Sequence, residues 1–182
     1  MYLDASPWGG GAFMSKGAEP VAWLATAWSE EDVAHLGLRI GDHRDQALAE
    51  LLVVVVAARV WASWWSQTPT VLTTRSDSIA ALGALEKGAS TRSKAMNYLV
   101  QEFTLLLASS FEELRLRYKH VPGSRNEWAD ALSRLAQPGS GAQVPGPLRH
   151  LAQTPVPPRA PAWWLLEGPK ERITAALPEG PA

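Results

Sequence analysis

Four acidic residues stand where a carboxylate could do chemistry, each in a different predicted element: Asp4, Glu50, Asp77 and Asp130. Asp4 lies in a first strand just before the small-residue turn Ala5-Ser6. Glu50 sits near the start of a long apolar helix, where a charge is costly unless something compensates for it. Asp77 closes a strand and opens the next helix, and Asp130 falls on the polar face of the last helix, away from Trp128 and Leu132. Hard divalent cations take oxygen ligands in near-octahedral geometry, and several carboxylates can hold two ions about 4 Å apart across a phosphodiester. Taken singly, each acid also has an ordinary reading: a turn acid at Asp4, a helix cap at Asp77, a solvated charge at Asp130, a flank of a buried face at Glu50.

The elements that must position them read in the order β-β-β-α-β-α-α-β-α, an α/β mixed sheet with helices packed on it. Residues 1–6, 10–15 and 21–28 alternate like strands, with a turn at Pro7-Trp8-Gly9. A polar stretch runs from Ser29 to Asp45, with Asp42 and Asp45 near the site or in solvent. Residues 46–65 contain no Gly or Pro; the VVVV run has strand propensity, but the length favours helix. Strand 71–77, a short helix at 78–85 and an amphipathic helix through Met96, Leu99, Val100, Phe103, Leu106 and Leu107 follow. Residues 114–121 alternate strictly, with Arg115, Arg117 and Lys119 on one face. The last helix carries Trp128, Ala131, Leu132 and Leu135.

Composition sets the limits. The chain has 182 residues, 46% hydrophobic and 19% charged, which excludes a wholly disordered polypeptide. It has no cysteine, hence no disulfide frame, thiolate metal site or thiol nucleophile. The strongest apolar run, Leu51 to Ala58, is too short to span a bilayer, and the N-terminus shows no secretory pattern, so an intracellular protein is expected. The net charge is −1, and polyanion binding therefore needs a local patch. Residues 1–86 carry five basic and ten acidic side chains, residues 87–134 eight and five. Arg92, Lys94, Arg115, Arg117, Lys119 and Arg125 are the candidates for phosphate contact. Ten of the fourteen prolines follow Gln137, which divides the chain into a domain at 1–137 and a Pro-rich linker or tail at 138–182, expected to be poorly ordered. Trp163, Trp164, Leu165 and Leu166 form one apolar knot in it, which either docks on the domain, collapses locally or meets a partner.

Four segments, in order, resemble the ribonuclease H family, especially the domain that follows reverse transcriptase in retrotransposons: YLDASPWGGGAFM, ALAELLVVVVAARVWA, TTRSDSIAAL and HVPGSRNEWADALSRL. The resemblance covers about residues 2–136, and its most specific part is the last segment. It implies a ribonuclease H-like fold and a metal-dependent endonuclease that cleaves the RNA strand of RNA–DNA hybrids with two Mg²⁺ ions, Mn²⁺ being possible. Asp4, Glu50, Asp77 and Asp130 match the family's metal-binding acids, and His120 matches a histidine tied to proton transfer or product release. Ser78 and Asn126 match polar positions that orient ligands or touch substrate; Gly9-Gly10-Gly11 is the expected place for reading 2′-hydroxyls. The resemblance further implies a retroelement polyprotein with a reverse transcriptase domain as partner. The chain departs from the family in having three residues before Asp4 and no basic insertion between the helices that start at Ser78 and near Ser93. The rival reading is a catalytically inactive module of the same fold that only positions nucleic acid or a polypeptide. A transposase or integrase fits less well, because those place their glutamate on a late helix and Glu50 is early.

Overall fold

The computed structural model describes residues 1–65, 70–90, 93–110 and 114–167. Three strands open the chain, β1 (Tyr2–Ser6), β2 (Gly9–Lys16) and β3 (Glu19–Ala27). Then come α1 (Glu30–Leu36), α2 (Gln46–Val60), β4 (Thr70–Ser76), α3 (Ile79–Lys87), α4 (Lys94–Ser110), β5 (Leu114–His120) and α5 (Glu127–Ser133). The sheet order is β3-β2-β1-β4-β5. The β1–β2 and β2–β3 pairs are antiparallel, whereas β4 lies parallel to both β1 and β5. This is the mixed sheet expected from the sequence.

Side-chain alternation along β1 divides the molecule into two cores. Leu3 and Ala5 point toward α2, into the larger core shared with α3 and α4. Tyr2 faces the other way, into a smaller core with Phe13, Trp23, Ala129 and Leu132 beneath α5. The helix α2 resolves the ambiguity of its VVVV run. Every residue from Leu48 to Ala58 is buried, between the sheet on one side and α3 and α4 on the other. An element covered all round has no reason to show an amphipathic period, and β-branched residues are tolerated when packing supplies the stability. The helix ends at Val60, five residues earlier than expected, and a 3₁₀ turn carries Ala62–Trp64.

Two stretches that read as irregular are built. The polar link after β3 contains α1, started by a capping box in which Ser29 and Asp32 satisfy each other's backbone N–H groups, and closed by Gly37 with φ at 69°. Asp42 and Asp45 beyond it pair with Arg44 and Arg39. The Pro-rich segment, expected as a poorly ordered tail over 138–182, is laid across the domain from residue 138 to residue 167, and its last part, 168–182, lies outside the described residues. It starts beneath α5, where Leu148 is fully buried, passes the open edge of β3 through Thr154 N–H to Trp23 O (2.8 Å), and ends against α1 and α4. Covering an edge strand removes a template for aggregation. Of the apolar knot, Trp163 and Trp164 dock in the main core, where His35 stacks on Trp164 at 4.4 Å and the Arg59 guanidinium lies over Trp163 at 4.7 Å.

The strap is fastened by buried charge. Arg159 reaches Asp32 through Nε and Nη2, both at 2.6 Å, and its remaining N–H groups reach Thr26 Oγ1 and Ala27 O. At the far end, the fully buried Glu102 accepts the N–H groups of Leu165 and Leu166. Removing one member of a buried pair strands the other charge. Arg159→Ala is therefore expected to lower stability by about 3 kcal/mol, read as a reduced urea midpoint with unchanged denaturant slope. A midpoint equal to wild type would show that the strap is not held by this pair.

Candidate metal centre

The β1–β2 register sets Asp4 opposite Gly11, and the helix α5 crosses directly over that pair. A Cβ on Gly11 would lie 2.4 Å from Ser133 N, so only glycine lets α5 approach this closely. The consequence is chemical: Ser133 Oγ donates to Asp4 Oδ2 at 2.6 Å. Gly9 and Gly10 are likewise packed strand residues, against Thr26 O and against Trp28 and Val53, rather than an open turn.

Glu50 comes from the first turns of α2 and reaches the middle of the sheet. Its Oε1 accepts from Ala5 N–H (3.2 Å) and Gln46 Nε2 (3.0 Å), and its Oε2 accepts from Ser76 Oγ (3.2 Å). Asp77 follows the last residue of β4 and sits toward solvent, where the loop before α5 brings Gly123 against its Oδ2. One carboxylate oxygen each from Asp4, Glu50 and Asp77 lie within 4.8 Å of one another. Asp4 and Glu50 are buried, at 6% and 4% exposure. Residues up to 73 positions apart in the chain have been brought to one point.

Three carboxylates this close repel. Burial pushes the Asp4 carboxyl up to about 7, helped by the charges of Asp77 and Asp130 and opposed by the Ser133 hydrogen bond. Glu50 rises well above the ordinary range, by burial first and then by the charges of Asp4 and Asp77. An all-oxygen donor set whose charges are unfavourable together fits a hard divalent cation, and suits thiophilic metals poorly.

Asp130 behaves differently from the other three. It is near enough for its charge to be felt at Asp4, yet Arg134 one turn later holds its Oδ1 through Nε and Nη2, both at 2.7 Å. His120 ends β5 beside Ser76 and is exposed. Ser78 is the N-cap of α3, its hydroxyl accepting from Ala81 N–H. Asn126 is buried and donates from Nδ2 to Leu3 O at 2.8 Å, tying the start of α5 to β1. Arg125 is exposed in the turn before α5 and lines a hollow of about 250 Å³ with Tyr2, Phe13, Ser124 and Trp128. Lys94 begins α4 and is exposed; Arg92 lies outside the described residues. Sequence reasoning missed Ser133, Ser76 and Gln46. Spacing offered a signal for each: Ser133 stands one turn after Asp130, Gln46 one turn before Glu50, and Ser76 directly before Asp77.

No family model and no curated protein matches the sequence. Solved structures do. The ribonuclease H1 of the halophilic archaeon Halobacterium salinarum superposes with a TM-score of 0.54 at 21% identity, over 72% of this chain and 90% of that one. A ribonuclease H1 isolated from compost by a metagenomic approach gives 0.54 at 12% identity, over 74% and 91%. With its sheet order, its helices on both faces and these two superpositions, the chain has the ribonuclease H fold.

Proposed function

We propose that this chain is a metal-dependent endonuclease that hydrolyses the RNA strand of RNA–DNA hybrids by two-metal chemistry. The observation that carries this reading is the meeting of Asp4, Glu50 and Asp77, from three separate elements, within 4.8 Å. The two structures compared above are of proteins called ribonuclease H1. Asp4, Glu50 and Asp77 would hold the ions, Mg²⁺ with Mn²⁺ as the substitute, and Asp130, paired with Arg134 in this structure, would be the fourth acid. When bound, the ions supply Lewis acidity at the scissile phosphate and offset the charge that builds on its oxygens.

The remaining steps belong to the protein. Ser133 and Ser76 fix the orientation of Asp4 and Glu50, so the ligands do not reorganise when a cation arrives. Asn126 holds the base of α5, and with it Asp130, in place against β1. His120, exposed at the rim, moves a proton at the departing oxygen. Arg125 contacts a phosphate beside the site. A retroelement polyprotein with a reverse transcriptase domain is the proposed source, supported by the four sequence segments and their order.

The test is direct. Full-length protein in Mg²⁺ or Mn²⁺ is expected to cut the labelled RNA of a hybrid and to spare the DNA strand and free RNA. Intact hybrid with both metals overturns the proposal and leaves the inactive module.

A further inference from the structure

The face of the sheet that carries α5 is only half covered. The helix lies over β1, β2 and β3, and among the described residues no helix lies over β4 and β5 on that side. One rung of side chains crosses the whole face in register: Trp23, Phe13, Tyr2, Arg75 and Lys119. Its covered end is aromatic and its open end cationic. Tyr2 stacks on Phe13 at 4.6 Å with the rings 3° from parallel, and the Arg75 guanidinium lies 4.9 Å over the other face of Tyr2. Arg75 is thereby held upright while the rings are used up as stacking surfaces.

Below Lys119, the same face of β5 carries Arg117 beside Thr73 and Arg115 beside Val71, which is 54% exposed. Among the described residues none of Arg75, Arg115, Arg117 and Lys119 pairs with a carboxylate. Alternate residues of a parallel strand stand about 6.6 Å apart, so the three β5 cations form one row about 13 Å long. The row also has a direction. Arg75 lies two residues before Asp77, so the cationic face runs up to the acid cluster.

We propose that this open β4–β5 face is a track for the phosphate backbone of a single-stranded segment flanking the hybrid, an inference that rests on the nuclease reading for what it leads to. Recognition runs through the phosphates, which the four cations read, since Tyr2 is already engaged by Phe13 and Arg75; among the described residues the one exposed indole at the border, Trp64, lines the hollow that Val71, Thr73 and Arg75 share.

The experiment compares a blunt hybrid with the same hybrid bearing a single-stranded DNA overhang, in Ca²⁺, by fluorescence anisotropy over a range of salt. Wild type is expected to show a log affinity against log salt slope steeper for the overhang substrate by about 2, from three contacts at about 0.7 each. The variant Arg115→Gln/Arg117→Gln/Lys119→Gln loses that difference, while Arg115→Lys/Arg117→Lys retains it. Equal slopes for both substrates in wild type, or a difference that survives in the Gln variant, overturn the track. Binding of single-stranded DNA alone reads the face without cleavage. Loss of binding in the Gln variant of a protein that cuts nothing therefore supports the track and defeats only the nuclease reading.

Discussion

Asp77→Asn is expected to fold as wild type does and to cut RNA–DNA hybrids about a thousandfold more slowly, or not at all, a loss of about 4 kcal/mol of transition-state stabilisation. Asp77 sits toward solvent after the last residue of β4, so exchanging one oxygen for an amide disturbs little packing. The amide does remove a charge from the place where three carboxylate oxygens gather within 4.8 Å. Single-turnover cleavage of a labelled hybrid in Mg²⁺ reads the effect, and urea unfolding shows that the fold is kept. A wild type and an Asp77→Asn protein that cut equally would mean the cluster is not the reaction centre.

Asp4→Asn is expected to separate stability from activity. In the folded, metal-free protein the Asp4 carboxyl is pushed up to about 7 from an ordinary 3.8, by burial before all else. The folded state therefore keeps a proton that the unfolded state releases as pH rises through that interval. By linkage, the Asp4 contribution to stability is fully present below about pH 4 and declines up to about pH 7, by as much as about 4 kcal/mol. Glu50 acts in the same direction. The Met1 ammonium, brought down to about 5 by burial first and Arg75 second, acts oppositely, costing stability as pH falls from 8 toward 5. The difference between wild type and Asp4→Asn at each pH isolates the carboxylate. In EDTA the variant should be more stable than wild type by about 2–4 kcal/mol at pH 8, and nearly equal to it at pH 4, while losing hybrid cleavage. Urea midpoints at both pH values check this. A wild type that is the more stable of the two at pH 8 in EDTA contradicts the strain ascribed to the cluster.

Much of the fold was legible because its strands have one face to bury and one to spare. β5 shows the rule in LRLRYKH, where Leu114, Leu116 and Tyr118 are half-buried and Arg115, Arg117 and Lys119 are exposed. α2 was legible by length alone, since a helix enclosed on every side carries no period. The strap from 138 to 167 was not legible. Its order rests on no repeating pattern but on single long-range partners, Arg159 with Asp32 and Glu102 with the Leu165 and Leu166 amides, separated by 127, 63 and 64 residues. Proline content speaks of secondary structure only, and a segment without helix or strand can still be held.

The candidate site divides along the same line. Residue types marked Asp4, Glu50 and Asp77 as places for chemistry, but only family resemblance joined them, because no local spacing links a strand, a helix and a strand end. Asp130 came with that set although its neighbour at i+4, Arg134, was equally visible, and in the folded chain that pair forms. Asn126 and Ser78, read as ligand or substrate contacts, each make a structural hydrogen bond as well, Asn126 Nδ2 to Leu3 O and Ser78 Oγ to the first turn of α3, while Asn126 Oδ1 is buried without a partner among the described residues. A polar residue beside an acid carries the same letter whether it serves a substrate or a cap.

Mn²⁺ titration followed by calorimetry at pH 8, with the wild type and Asp77→Asn side by side, goes straight to whether the acids hold metal. Saturable binding by the wild type, displaced by Mg²⁺ and lost or much weakened in Asp77→Asn, is the expected result. A wild type that takes up no ion, or a variant that binds it equally well, would contradict a metal centre at Asp4, Glu50 and Asp77.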